Sequence, residues 1–333
     1  MTTPRPASSA TARLAWAEEL ARRLYGLEAR AIALDGYAYL NFRLETAGGT
    51  RFVLKIAPTG TDTASVDLPL AALAFLQERS PTLPCPRPLP GSDGSYLQQA
   101  NGQYLFALEW LEGVLLARAQ RRPALFDALG CVTAQLHHAL EGFAHPGLGC
   151  HCDWDLCHAL AARKRLGCIT DPERRNQVAG IFDRFEASVA PVFSQLEHGP
   201  VHGDLNDHNI LVTGDEVVGI FDFGDMTRSA FVADAAIAAA YAMFDAPDPF
   251  DAATRLFIAY QRSRPLRENE LMLVPEMIAT RLAFSVTMSA YRGDPHPDDP
   301  YVLVSEKAAW AVLKLLDDAG LDRLRENIRR ACL

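Results

Sequence analysis

Residues 201–225, VHGDLNDHNILVTGDEVVGIFDFGD, contain the side chains best suited to chemistry in this chain. Asp204 follows a glycine in a sharp turn, and Asn209 begins a short apolar run. A second apolar run ends at Asp222, so pairing of the two runs brings Asn209 and Asp222 to the same end of a hairpin. Their oxygens can bind Mg2+ there, while Asp204 can accept a proton from an incoming hydroxyl. This layout predicts phosphoryl transfer, in which a protein mainly positions groups and neutralises charge.

The same residue types also form ordinary turns, so a D-x4-N spacing alone is weak support. The combination of H-G-D-x4-N, an apolar hairpin and D-F-G is far more specific. Lys55 adds to it, because it lies in a predicted strand and is one of only four lysines in the chain. A compact ammonium suits phosphate oxygens, although an edge-strand lysine facing solvent would give the same local pattern.

The first part of the chain, up to about residue 111, contains most of the predicted strands. Periodicity predicts a helix over residues 11–24, strands over 29–34, 41–45 and 51–56, a helix over 66–77 and a strand over 104–111. Pro69 is compatible with its helix only in the first turn. The single glycine of the link 35–40 allows, but does not require, an approach to nucleotide phosphates. Residues 80–90 are proline-rich and extended.

The second part of the chain is mainly helical, apart from the hairpin. Helices are predicted over residues 123–140, from a start capped by Asp153, over 173–196 with an interruption at Pro191, over 233–243 and onward to about 324. The fold class is therefore α+β with two lobes and the active site in the cleft. Residues 1–12 are expected to be disordered, 13–108 to form the N-lobe, 109–113 the hinge and 114–333 the C-lobe.

Composition limits the function classes. The formal net charge of -9 and the pI near 5.5 argue against a nucleic-acid partner. An apolar run of about 18 residues, which a membrane span needs, and an export signal are not expected. The seven cysteines then suggest reduced thiols in the cytoplasm. Four of them cluster with two histidines, and idle thiols are favoured over a zinc site because the spacing is irregular: Cys150, Cys152, Cys157, Cys168, His151 and His158.

Residues 202–211 and 219–226 together resemble the aminoglycoside phosphotransferase/choline kinase family, and within it the hydroxylysine kinase branch. The resemblance extends to the Lys55 strand and to residues 108–113, and it covers most of residues 29–310. It implies a protein-kinase-like fold with a small β-rich N-lobe and a larger helical C-lobe. H-G-D in place of H-R-D, and the lack of A-P-E after D-F-G, exclude a protein kinase.

Carried over by this resemblance, Asp204 is the catalytic base and Asn209 and Asp222 are the Mg2+ ligands. The nucleotide, ATP or GTP, is expected to contact Lys55 through its phosphates and the backbone of Glu109, Trp110 and Leu111 through its purine. His202 and Asp234 are expected to support the H-G-D turn. The family pairs its lysine with an acid where this chain has Pro69, so a Lys55–Asp67 pair is only a hypothesis.

The acceptor is less well defined, and 5-hydroxy-L-lysine is the first choice. Such a substrate needs an arginine for its carboxylate and acids for its amines. The candidates are Arg228, Arg281 and Arg292 for the first role, and Asp225, Asp207, Asp155 and Asp294 for the second. An aminoglycoside, homoserine or choline/ethanolamine acceptor stays open, as does a nucleotide-binding pseudokinase, and the oligomeric state is not predicted.

Overall fold

The computed structural model describes residues 9–36, 39–293 and 305–333. The chain forms two compact units: one comprises residues up to 112 together with 145–147, and the other comprises residues 113–144 and those from 148 onward. The first boundary falls between Glu112 and Gly113, inside the segment expected to be the hinge. The inclusion of residues 145–147 in the first unit was not expected from the sequence.

The first unit is built on one antiparallel sheet. Its strands are β1 (Ala29–Leu34), β2 (Leu40–Thr46), β3 (Arg51–Ile56), β4 (Pro88–Leu89), β5 (Gln98–Ala100) and β6 (Gln103–Glu109). They follow the order β1-β2-β3-β6-β4, with β5 paired to β6. Helix α1 (Ala10–Tyr25) buries Trp16 and Leu20 in the same cluster as Leu44 and Ile56 of the sheet. In the register of the sheet, Lys55 of β3 lies opposite Asn41 of β2 and Phe106 of β6.

Two boundaries in this unit differ from the predictions. Helix α1 begins at Ala10, where Ser9 accepts from the Ala12 N–H, so residues 10–12 are helical rather than disordered; residues 1–8 lie outside the described residues. Helix α2 (Thr63–Arg79) begins earlier than predicted because Asp62 caps it. Pro69 consequently lies inside the helix rather than in its first turn, where the lack of an N–H removes one backbone bond.

The second unit contains two small antiparallel sheets. Strands β7 (Val114–Leu115), β9 (Ile210–Thr213) and β10 (Glu216–Ile220) form one, and β8 (His198–Val201) pairs with β11 (Thr227–Ala230) in the other. The predicted hairpin is therefore present as β9–β10, with a bulge between Val217 and Gly219 that shifts its register. β8 leads directly into the H-G-D turn.

The helices of this unit form its core. They are α3 (Pro123–Ala139), α4 (Pro172–Ser188), α5 (Phe231–Ala242), α6 (Pro249–Ser263), α7 (Glu268–Leu271), α8 (Val274–Gly293), α9 (Glu306–Leu313) and α10 (Asp318–Cys332). α4 ends at Ser188, which agrees with the interruption expected at Pro191. The segment Leu156–Cys168 is a 3-10 helix, and its cap is Asp155 rather than the predicted Asp153, whose carboxylate contacts His151.

One helical stretch, Glu268–Gly293, is long and apolar enough to cross a membrane by length and composition, contrary to the expectation from the sequence. However, 83% of its most apolar window is buried inside the protein. Arg281, in the middle of α8, is fully buried and ion-paired. These are the properties of a core helix that positions a charged group.

We predict that Gly130→Ala destabilises the protein by about 1–3 kcal/mol, because a new side chain must be forced into a packed contact. A Cβ at Gly130 in α3 would lie 2.1 Å from the Leu256 carbonyl oxygen in α6. Gly180→Ala in α4 is the matched control, since a Cβ there meets nothing within 4 Å. It should stabilise by up to about 1 kcal/mol. Urea unfolding measures both, and equal effects would contradict the packing argument.

Candidate active site

The H-G-D turn depends on a glycine with a left-handed backbone. Gly203 has φ +82°, and a Cβ there would lie 2.2 Å from the Asp225 carbonyl oxygen. His202 is buried and donates from Nε2 to the Phe221 carbonyl (3.0 Å), which leaves Nδ1 to accept the Asp204 N–H (3.3 Å). These bonds fix the histidine tautomer and join the turn to the end of β10.

Asp234 supports this turn from helix α5, as expected from the resemblance. Its carboxylate accepts the backbone N–H groups of Gly203 (2.8 Å) and His202 (3.3 Å). Burial raises the pKa of Asp234, but the hydrogen bond and charge of His137 and the contacts from the turn outweigh it and hold the pKa below its usual value. The carboxylate is therefore a buried anion with its oxygens bonded to the turn.

His137 was missed as part of this support. It is fully buried in α3 and contacts Asp234 through Nε2 (2.9 Å) and the Tyr260 hydroxyl through Nδ1 (2.8 Å). A histidine on the apolar face of a strongly periodic helix is a signal in the sequence, but the partners of His137 on α5 and α6 are distant along the chain. The result is a polar chain from α6 to the H-G-D turn.

Both oxygens of the Asp204 carboxylate are bonded. Oδ2 accepts from Asn206 Nδ2 (2.7 Å) and Asn209 Nδ2 (3.1 Å). Oδ1 pairs with Arg281 of α8, and the Asp204 side chain retains 16% of its exposure. The carboxylate is thus held in one orientation while part of it stays accessible, as a group that must meet a substrate hydroxyl requires.

Asn209 and Asp222 lie at one end of the β9–β10 hairpin, as predicted. The Phe221 N–H donates to the Asn209 carbonyl (3.0 Å), which extends the strand pairing up to Asp222. The Asn209 amide nitrogen donates to Asp204, so its amide oxygen is the atom directed away from that carboxylate. Asp222 has φ +65°, a turn conformation that asparagine and aspartate tolerate. One amide oxygen and one carboxylate are a suitable donor set for Mg2+, which takes few ligands from protein.

Asp225 follows the D-F-G segment, and its carboxyl has a strongly raised pKa. Burial, together with the charges of Asp204 and Asp222, raises the pKa of Asp225 to about 7, while Arg281 and Arg292 act in the opposite direction. Three carboxylates in one place are unfavourable unless cations join them. Such an arrangement is typical of a site that binds charged ligands.

Arg281 has a different position from that expected of an acceptor ligand. Its guanidinium is buried between Asp204, the Trp154 carbonyl (3.3 Å) and the Trp154 ring, whose centroid lies 4.9 Å away. Burial lowers its pKa, but the hydroxyl of Tyr241 and the carboxylates of Asp204 and Asp225 outweigh burial and raise it. Arg281 is therefore a charged residue that orients the predicted base.

Three predicted acceptor residues already have structural partners or lie elsewhere. Asp207 is buried against Arg121 (3.4 Å). Asp155 caps the 3-10 helix and accepts the Ser229 hydroxyl (2.8 Å). Arg228 lines a pocket of about 340 Å3 together with Asp155, Phe185 and His198. These contacts favour structural roles for the two acids, and Asp294 lies outside the described residues.

The cysteine cluster has the properties of idle thiols. All seven cysteines are free. Asp155, Cys157 and His158 place one possible ligand atom each within 4.8 Å of one another. However, burial and the adjacent Asp155 raise the pKa of the Cys157 thiol, and burial raises the pKa of Cys152 to about 12. These shifts keep both thiols protonated, and therefore weakly nucleophilic, near neutral pH in the ligand-free protein.

The nucleotide-contact residues expected from the sequence belong to the first unit. The Lys55 ammonium lies 5.3 Å from the Tyr39 ring centroid. The N–H groups of Glu109 and Trp110 donate to the Arg87 and Arg51 carbonyls. Asp67 accepts from His145 (3.1 Å), which lies 78 residues further along the chain. Residues 37 and 38 of the predicted phosphate link lie outside the described residues.

We predict that Asp225→Asn stabilises the ligand-free protein at pH 8 by roughly 1–3 kcal/mol. Because the pKa of Asp225 is about 7 in the folded protein and about 4 when unfolded, wild-type stability falls as pH rises between these values. The gain should therefore disappear near pH 4. Urea unfolding in EDTA at several pH values measures it.

Asp234→Asn is the matched control, because the pKa of Asp234 is shifted in the opposite direction. This variant should lose stability at pH 8, and its deficit should shrink only below about pH 4. A pH-independent effect of Asp225→Asn would contradict the expected proton binding.

Comparisons with known proteins relate this chain to several kinases. The chain is 28% identical to mouse (Mus musculus) hydroxylysine kinase, over 94% of this chain and 91% of that protein. It is 29% identical to a homoserine kinase of Gluconacetobacter diazotrophicus, over 75% and 76% of the two chains. A solved amicoumacin kinase in complex with AMP-PNP, Ca2+ and Ami has the same fold, with TM-score 0.67, 16% identity and coverage of 95% and 93%.

The microcompartment-associated aminopropanol kinase also shares the fold, with TM-score 0.66, 17% identity and coverage of 96% and 98%. Residues 28–268 match the phosphotransferase enzyme family, APH. That match spans both the Lys55 strand and the H-G-D turn, so both regions singled out in the sequence lie within the matched family domain. The chain is a member of the phosphotransferase enzyme family, a kinase with an alcohol group as acceptor.

Proposed function

We propose that this kinase transfers the γ-phosphoryl group of a nucleoside triphosphate to the hydroxyl of a small amino acid, with 5-hydroxy-L-lysine as the first acceptor to test. The observation that carries this proposal is the oriented, partly accessible Asp204 carboxylate bonded to the Asn209 amide. Similarity to hydroxylysine kinases over nearly the whole chain supports the choice of acceptor. Homoserine is the second candidate, because homoserine kinases match over about three quarters of the chain.

Asp204 would act on the acceptor hydroxyl. Arg281 and the two asparagine amides fix the carboxylate, so an incoming hydroxyl meets an oriented acceptor of its proton. In phosphoryl transfer the attacking oxygen must be aligned with the leaving group, and most of the catalysis comes from this positioning. The His202–Asp234–His137 contacts would keep the turn rigid during the reaction.

Asn209 and Asp222 would hold Mg2+, which neutralises phosphate charge when bound. Lys55 would contact the phosphates, and Leu111 would contribute the purine-facing N–H, since those of Glu109 and Trp110 donate elsewhere. The donor is ATP or GTP. We place the enzyme in the cytoplasm, in keeping with its seven free thiols, acting on a small molecule rather than on nucleic acid or a membrane.

We predict that wild-type protein with Mg2+ and ATP or GTP phosphorylates 5-hydroxy-L-lysine, and that Asp204→Asn lowers kcat by about 10²- to 10⁴-fold, the usual contribution of a general base. Asp183→Asn is the matched control, because that carboxylate is 74% exposed and pairs with Arg163 on the surface. Nucleotide consumption, with product mass as confirmation, measures both variants.

The acceptor panel includes homoserine, ethanolamine, choline and an aminoglycoside. Turnover of one of these with 5-hydroxy-L-lysine inert would reject the acceptor and retain the enzyme class. Metal-dependent nucleotide binding without turnover of any acceptor would identify a pseudokinase. The presence of Asp204, Asn209 and Asp222 together argues against that last outcome.

A further inference from the structure

Arg281 is a buried cation whose surroundings come from separate parts of the chain. Its side chain is 1% exposed and pairs with Oδ1 of Asp204. Its Nη1 donates to the Trp154 carbonyl at 3.3 Å. Its Cζ lies 4.9 Å from the Trp154 ring centroid and 5.5 Å from the ring centroid of Tyr241 in α5. A planar guanidinium held against aromatic rings in this way has few orientations open to it.

Trp154 is itself held from two directions. Phe284, about one turn after Arg281 in α8, packs edge-on against the Trp154 ring at 5.0 Å. The next residue in sequence, Asp155, accepts the Ser229 hydroxyl of β11 at 2.8 Å. The ring that covers Arg281 is therefore fixed by contacts with both α8 and β11.

The Asp204 carboxylate depends on Arg281 for the direction of one oxygen. Oδ2 accepts from the side-chain amides of Asn206 (2.7 Å) and Asn209 (3.1 Å), which fills its two lone-pair positions. Oδ1 contacts Arg281, so the lone-pair position that the described side chains leave open is on Oδ1. A rotation of the guanidinium would turn the carboxylate, and with it the position to which a hydroxyl can donate.

We propose that Trp154 is a positioning residue of this kinase: through Arg281, it holds the Asp204 carboxylate in the orientation that receives the acceptor hydroxyl. This inference rests on the proposed kinase activity and adds to it a residue that acts through another. The ring fixes the orientation of the base rather than contacting a substrate. Its loss is therefore expected to affect the transition state and not the binding of either substrate.

Trp154→Leu removes the ring and keeps the backbone carbonyl that Arg281 contacts. We expect kcat for the phosphorylated acceptor to fall about 10- to 100-fold, the scale expected when a catalytic group is misplaced by about 1 Å. The KM values of acceptor and nucleotide should stay unchanged, because the lost interaction acts in the transition state. Trp154→Phe retains an aromatic face for the guanidinium and should recover most of kcat. A raised KM with unchanged kcat would overturn the inference.

Trp310→Leu is the matched control, because Trp310 is also half-buried and also stacks on an arginine. The Arg174 Cζ lies 4.7 Å from the Trp310 ring centroid, between α4 and α9. This variant should keep the wild-type kcat and KM. Thermal unfolding shows whether each variant is folded, and Trp154→Met replaces Trp154→Leu if the latter is not. An equal loss of kcat in Trp310→Leu would contradict a specific role for Trp154.

A double-mutant cycle with Asp204 isolates the path through Arg281. The cycle is needed because the Trp154 ring centroid also lies 5.1 Å from the Arg292 guanidinium carbon. In the Asp204→Asn background no carboxylate remains for Arg281 to orient, so Trp154→Leu should change the residual kcat little. The same fold-loss in both backgrounds would show that Trp154 acts independently of Asp204, and the inference would be rejected.

Urea unfolding of the four proteins of this cycle separates the inference from the kinase proposal, because it does not require turnover. Coupled side chains give a double variant whose midpoint shift differs from the sum of the two single shifts. Coupling without turnover of any acceptor would retain Trp154 as the residue that positions Asp204 and reject the kinase activity. Additive shifts without turnover would reject both proposals.

Discussion

The site depends on the hydrogen bonds that the buried Asp234 carboxylate accepts from the H-G-D turn. A left-handed Gly203 leaves the N–H groups of the H-G-D turn directed into the protein, where they need an acceptor. Asp234 supplies it, and His137 with Tyr260 supports the negative charge from two other helices. An unpaired buried charge would cost several kcal/mol. The turn, Asp234 and His137 therefore stabilise one another, and loss of one of them destabilises the other two.

A second buried charge acts on the side chain of Asp204. Arg281 lies in the apolar middle of α8 and bonds to the carboxylate that we propose as the base. The helical stretch that carries Arg281 is apolar enough to cross a membrane, but most of it is buried inside the protein. The helix therefore holds a desolvated cation at a defined position. In a low-dielectric environment the Coulomb attraction between such a cation and an adjacent carboxylate is strong. The fold thus holds the catalytic segment at two points. Asp234 binds the backbone of the H-G-D turn, and Arg281 binds the side chain of Asp204.

Much of this organisation could be predicted from sequence. The hairpin, the proximity of Asn209 to Asp222 and the support from Asp234 all follow from short-range patterning combined with family resemblance. The strands β1 and β3 have the predicted bounds. Errors arose where a cap competes with periodicity: Asp62 starts α2 early and places Pro69 inside it, and Asp155 rather than Asp153 caps the following segment. The ion pairs of Asp207 and of Arg281 join distant parts of the chain, so local patterns could not identify them.

The orientation of the Asn209 amide has a consequence for how the gene can vary. Its nitrogen donates to Asp204 at 3.0 Å and 3.1 Å, while its oxygen is directed elsewhere. Aspartate is one nucleotide change away from asparagine and offers the same cation-binding oxygens. At this position, however, it would replace a donor with a second anion in contact with Asp204, and like charges at that distance repel. We therefore expect aspartate not to replace asparagine at position 209, whatever the acceptor of the enzyme.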